Sequence, residues 1–98
     1  MEEPKFPLTA SWFISCQEAV IKRKLSMNEK DASEAWLPII NSAYIDGCRN
    51  DTGAIISTLE GMDDLISQQT ENEILQHFLK SCRRWILYAW KRGSDAKR

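Results

Sequence analysis

The chain has 98 residues and a net charge of −1, with 43% hydrophobic and 28% charged residues but only four Gly and three Pro. This balance excludes a disordered or low-complexity polypeptide and leaves room for a single domain, residues 1–98. The acidic start Met1-Glu2-Glu3-Pro4 lacks the basic-then-apolar order of a secretory signal, and no run approaches the ~18 apolar residues of a membrane span. The expected setting is cytoplasmic, with no membrane partner.

Residues 1–8 carry two prolines and read as an extended lead-in. Thr9 is the N-cap expected for a first helix running to about Lys24 or Leu25. Trp12, Phe13, Cys16, Ala19 and Val20 share one face of it, while Ile14, Ile21 and Leu25 fall about 140–180° away at 100° per residue. A helix apolar on two sides sits centrally in a bundle or offers one side to another chain. Ile14, Ile21 and Leu25 are therefore a candidate second interface, suited to a homodimer.

Ser26-Met27-Asn28-Glu29 has the capping-box pattern and opens a second helix, with Trp36, Leu37, Ile40, Ala43, Tyr44 and Cys48 facing inward. Pro38 removes one helical hydrogen bond, so a kink or split is expected near that point. Gly47 and the run Arg49-Asn50-Asp51-Thr52-Gly53 read as a turn. Asp51 or Thr52 then caps a third helix whose apolar face is Ile55, Ile56, Leu59, Met62 and Ile66. A second capping box, Thr70-Glu71-Asn72-Glu73, opens a last helix with Leu75, Phe78, Leu79, Cys82, Ile86 and Ala89 as its stripe. Gly93 is placed to end that helix and leave a short polar tail, residues 93–98. The fold predicted is all-α, a compact bundle of four to five helices.

Charge is strongly segregated. Residues 29–73 hold two basic and ten acidic side chains, net −8, whereas residues 74–98 hold seven basic and one acidic, net +6. Part of this follows from the helix dipole, which favours acids in the first turn and bases toward the end. The excess beyond that points to a partner-directed surface. On the last helix, Lys80, Arg84 and Lys91 fall opposite the buried stripe, with Arg83 and Arg92 at its margins and Leu87 and Tyr88 on the same outer side. The run Trp85-Ile86-Leu87-Tyr88-Ala89-Trp90 has six apolar residues in a row, more than one stripe conceals. An aromatic patch rimmed by Lys and Arg has the make-up of an interaction surface, so Lys80, Arg83, Arg84, Leu87, Tyr88, Trp90, Lys91 and Arg92 are the candidate partner-binding residues.

Catalytic chemistry has no comparable signal. His77, the only histidine, sits four residues after Glu73 as a surface pair would. Cys16, Cys48 and Cys82 are too widely spaced for a metal pair and fall in apolar stripes as small hydrophobes. Glu60, Asp63 and Asp64 read as a solvated face, and the four glycines form no phosphate-binding loop. No metal, cofactor or catalytic residue is expected. The function predicted is a small non-catalytic protein-binding module, an adaptor, inhibitor or immunity-type factor of the kind phages and plasmids encode. The alternative is nucleic-acid or nucleotide binding through the same basic residues, extended by Lys22-Arg23-Lys24 if the first and last helices are neighbours.

Overall fold

Short polar side chains decide where each helix begins. In a computed structural model, which describes residues 4–69 and 71–96, the helices are α1 (Ala10–Ile21), α2 (Met27–Cys48), α3 (Thr52–Gln68) and α4 (Glu73–Ala96). The Thr9 hydroxyl accepts from the Trp12 N–H at 3.3 Å, and the Asp51 carboxylate accepts from the Ala54 N–H at 3.0 Å. Ser26 and Glu29 form the reciprocal capping box, Glu29 N–H to Ser26 Oγ at 3.2 Å and Ser26 N–H to Glu29 Oε1 at 2.9 Å. For α4 the cap lies two residues later than the spacing predicts. The Leu75 N–H donates to Asn72 Oδ1 at 3.0 Å, while Thr70 lies outside the described residues.

Among the described residues there are four helices. α2 passes unbroken through Pro38 rather than splitting there. Pro38 and Glu34 both face solvent, so the carbonyl that loses its helical donor is one that water can reach. α1 stops at Ile21, three residues early, where Lys22 turns into the left-handed region (φ 61°) and its N–H donates to the Glu18 carbonyl.

Ion pairs and turn bonds fix the topology. Arg83 meets Asp63, Gln76 donates to the Ile66 carbonyl, and Trp90 Nε1 donates to the Asp51 carbonyl, so α3 and α4 are antiparallel. A three-residue turn joins α2 to α3, which makes α2 and α4 parallel neighbours. α4, about 36 Å long at 1.5 Å per residue, spans the 38 Å long axis of the molecule. The core runs along the α2–α4 seam: Leu37, Ile40 and Ala43 against Leu79, Cys82, Ile86 and Ala89, closed by Ile55 and Met62 from α3 and Phe13 from α1.

Two glycines assigned to turns by the sequence are instead buried within helices. A Cβ on Gly47 would overlap the Trp90 carbonyl oxygen and stand 2.8 Å from its carbon. A Cβ on Gly93 would overlap the Tyr44 carbonyl oxygen and stand 2.9 Å from the Cys48 nitrogen. With Ala43 and Ala89 one turn earlier, each helix presents a small–x–x–x–small step where the two backbones meet. Beyond that step α4 continues to Ala96, because Ser94 Oγ bonds Asn50 Oδ1 at 2.9 Å and ties the helix to the α2–α3 turn. Gly93 therefore does not end the helix.

The same geometry yields opposite outcomes for chemically identical substitutions. Gly47→Ala and Gly93→Ala are each expected to lower stability by about 1–3 kcal/mol, since the strain of overpacking exceeds the gain in helix propensity. Gly61→Ala, inside α3 with nothing within 4 Å of the added Cβ, is expected to raise it by about 0.5–1 kcal/mol. Urea denaturation of the three variants checks the order, and a stabilising Gly93→Ala would refute the close approach.

Candidate functional site

On α4 the buried stripe is Leu79, Cys82, Ile86, Ala89 and Gly93. At 100° per residue, Trp90, Arg83 and Leu87 then turn toward α3. Trp85, Arg92 and Tyr88 turn toward α1 and the N-terminal segment, and Arg84, Lys91 and Lys80 point away from the bundle. The eight residues expected to form one face thus divide three ways.

Those on the α3 side are largely committed to the fold. Arg83 pairs with Asp63 (Nε–Oδ1 2.8 Å), and Trp90 is half-buried in the α2–α4 contact with its indole N–H bonded at 3.2 Å to Asp51. Leu87 is half-buried. Arg83 and Trp90 thus each make a bond within the fold.

The α1 side carries a connected series of aromatic rings. Trp12 and Phe13 meet Trp85 edge-on at 5.9 and 5.5 Å, and Trp85 meets Tyr88 edge-on at 5.7 Å. Tyr88 lies 6.4 Å from Phe6, which stacks on Tyr44 at 4.6 Å and 8°. The surplus of apolar residues on α4 is thus partly covered by the chain's own N-terminal segment. Tyr88 still keeps 38% of its surface exposed, with the Arg92 guanidinium 5.8 Å above its ring and bonded to its hydroxyl at 2.9 Å.

Lys80, Arg84 and Lys91 form the outward ridge. All three are exposed, and none has an ionic partner among the described residues. The Lys22-Arg23-Lys24 cluster does not extend this ridge. Arg23 forms two 2.8 Å bonds with Glu29, and Lys24 lies 3.7 Å from Glu18, so two of its charges serve the α1–α2 connection.

The three residues expected at a second interface differ in exposure. Leu25 is buried, with its N–H bonded at 2.9 Å to the Glu18 carboxylate; Ile14 is half-buried, and Ile21 is exposed. α1 rests on the bundle through Trp12, Phe13 and Gln17, so Val20 is 66% exposed although it shares the Phe13 stripe. On α3, Ile56 is 54% exposed rather than part of the packed face.

Burial pushes the Cys82 thiol up to about 12 and raises that of Cys16, so neither has thiolate character near neutral pH. Among the described residues no cluster of His, Cys, Asp or Glu has the grouping of a metal site. No described helix is long and apolar enough to cross a membrane. His77 is exposed, and no bond between it and Glu73 is present.

An unexpected contact lies on the opposite edge of the aromatic series. The Asn41 side chain clamps one residue of the lead-in: the Leu8 N–H donates to Asn41 Oδ1 at 2.7 Å, and Asn41 Nδ2 donates to the Leu8 carbonyl at 3.1 Å. The sequence marks Asn41 only as a polar interruption in an apolar run, and no local signal pairs it with a residue 33 positions away. No family model, curated protein or solved structure matches the chain.

The Arg23–Glu29 pair has a direct acid signature. The Arg23 guanidinium, helped by the Ser26 N–H, holds the Glu29 carboxyl down to about 2. A depressed carboxylate stabilises the fold above its unfolded value of ~4.3, and that contribution disappears as pH falls through about 2. NMR titration should therefore find the Glu29 midpoint near 2. Arg23→Gln should move it upward but leave it below ~4.3, because the Ser26 N–H still donates. An unchanged midpoint in that variant would refute the pairing.

Proposed function

We propose that the chain is a small non-catalytic protein-binding module whose α4 ridge (Lys80, Arg84 and Lys91, with Tyr88 and Arg92 beside it) docks on an acidic protein surface. The observation that carries this reading is the ridge itself. In a chain of net charge −1 whose residues 29–73 are net −8, three exposed cations align along one helix without ionic partners among the described residues. Arg83, the cation that α3 can reach, is already neutralised by Asp63. The ridge abuts a partly exposed tyrosine held in place by Trp85 and Arg92, and a rigid aromatic next to Arg is the combination that concentrates binding energy when desolvated. Electrostatic complementarity then contributes encounter rate and orientation.

Nucleic acid is the competing ligand for any cationic ridge. A duplex carries one negative charge per about 1.7 Å of axis and would also meet the net −8 of residues 29–73, whereas a protein can present its acids at the ridge alone.

Arg84→Glu combined with Lys91→Glu reverses two exposed charges without touching a packed ring. This variant is expected to keep its helical circular dichroism and thermal midpoint while losing capture of the host protein that the wild type retains in a pull-down. Full capture by the folded variant would exclude the ridge. A filter-binding titration with random duplex DNA at physiological salt is expected to show no submicromolar affinity. Sequence-independent binding that weakens steeply with salt would instead favour the nucleic-acid reading.

A further inference from the structure

The face of α2 turned away from α4 carries a row of six exposed residues: Asp31, Ala35, Pro38, Ser42, Ile45 and Arg49. Their spacing of four, three, four, three and four is the heptad spacing of a two-helix seam. At 100° per residue all six lie within about 40° of the line opposite buried Ile40. Ile45 is 51% exposed, and Ile39, along one edge of the row, is 39% exposed. Asp31 and Arg49 have no ionic partner among the described residues, and the Ser42 hydroxyl makes no hydrogen bond there. The row is thus uncharged between an acidic end and a basic end, which stand about 27 Å apart at 1.5 Å per residue.

We infer that this face is a homodimer interface, on which the α2 helices of two copies of the chain pack antiparallel about a two-fold axis level with residue 40. The spacing is mirror-symmetric about that residue. Antiparallel pairing therefore sets Asp31 against the second copy's Arg49, Ala35 against its Ile45 and Pro38 against its Ser42. Each contact occurs twice, and both charged ends are neutralised. A parallel pairing would instead set Asp31 against Asp31 and Arg49 against Arg49. This charge pattern is what identifies the occupant as a second copy. Shape agrees with it, because Ala35, the smallest side chain of the row, receives Ile45, its bulkiest apolar one. Pro38 leaves the Glu34 carbonyl without a helical donor, and the Ser42 hydroxyl that stands opposite Pro38 is a free donor. Glu34 and Asp46 flank the row on opposite edges. The axis brings each edge against the same edge of the second copy, so these acids form a polar rim and do not meet. The dimer uses none of Ile14, Ile21 and Leu25. It also leaves both α4 ridges open, since they lie on the far side of the α2–α4 seam, and so does not rest on the role proposed for them.

The test is sedimentation equilibrium of the full chain over a concentration series. Wild type is expected to pass from 11.3 kDa to twice that mass as concentration rises. Ile45→Glu, at an exposed position, should keep its helical circular dichroism and sediment as a monomer throughout. Asp31→Arg and Arg49→Asp should each weaken dimerisation at least about tenfold, because each sets like charges together twice. The combined Asp31→Arg/Arg49→Asp variant should recover wild-type association, which only the antiparallel register allows. Wild type that stays monomeric to about 1 mM would leave the face to a different protein and overturn the inference. A folded Ile45→Glu variant that still dimerises, or a double reversal as weak as the singles, also overturns it. Arg84→Glu/Lys91→Glu should dimerise as wild type does, which separates failure of the dimer from failure of the ridge. Loss of the dimer in that variant would place the contact on α4 and contradict the α2 interface.

Discussion

At the C-terminal ends of α2 and α4 the two helix backbones are in contact, and side chains have been removed from both to allow it. Gly47 lies against the carbonyl of Trp90, and Gly93 lies against that of Tyr44. Helices normally keep 8–10 Å between axes because the side chains at the crossing set the distance. A glycine on each side removes that spacer. The close approach sets the register of the whole seam: Leu37, Ile40 and Ala43 reach Leu79, Cys82, Ile86 and Ala89 only in the alignment that brings the two glycines together. The α2–α3 turn follows from it, because Trp90 and Ser94, on either side of Gly93, bond Asp51 and Asn50. α3 is thereby anchored to α4 at this end and by Arg83–Asp63 along its length.

With α2 and α4 fixed in parallel, the two flanks of α4 differ in kind. The α3 flank is closed by an ion pair and backbone-directed bonds. The other is closed by rings: Trp12, Phe13, Trp85, Tyr88, Phe6 and Tyr44 connect α1, α4, the N-terminal segment and α2. Edge-on and stacked aromatic contacts contribute about 0.5–1.5 kcal/mol each beyond area burial. Short segments held mainly by such contacts open more readily than a seam of interlocked helices. The cationic ridge of α4 and the Asn41 clamp on Leu8 both border this aromatic flank.

The elements legible in the sequence were those specified by local chemistry. Thr9, the Ser26–Glu29 box and Asp51 cap the helices as their spacing predicts, and the all-α class follows from apolar residues recurring at three and four. The misreadings share one cause, which is that a residue's role was set by a neighbour distant in the chain. Gly47 and Gly93 resemble turn and C-cap glycines until the opposing backbone is known, and the paired Ala43/Gly47 and Ala89/Gly93 steps were their only signal. The bonds that Arg83 and Trp90 make with Asp63 and Asp51 are likewise invisible from α4 alone. Periodicity did identify Lys80, Arg84 and Lys91 as outward-facing, because for an exposed position the helix's own geometry suffices. Leu8 could not be paired with Asn41, nor Phe6 with Tyr44, since no periodicity links a residue of the lead-in to a helix 33 positions later.

Because the seam positions every other feature, its most direct test is whether the two glycines act at one contact. A double-mutant cycle of Gly47→Ala, Gly93→Ala and the combined variant, measured by urea denaturation, gives that answer. If the helices must separate once to admit either Cβ, the double variant should cost less than the sum of the singles by about 0.5–3 kcal/mol. Strict additivity, within about 0.3–0.5 kcal/mol, would mean that the glycines act independently and would contradict the shared backbone contact on which this account rests.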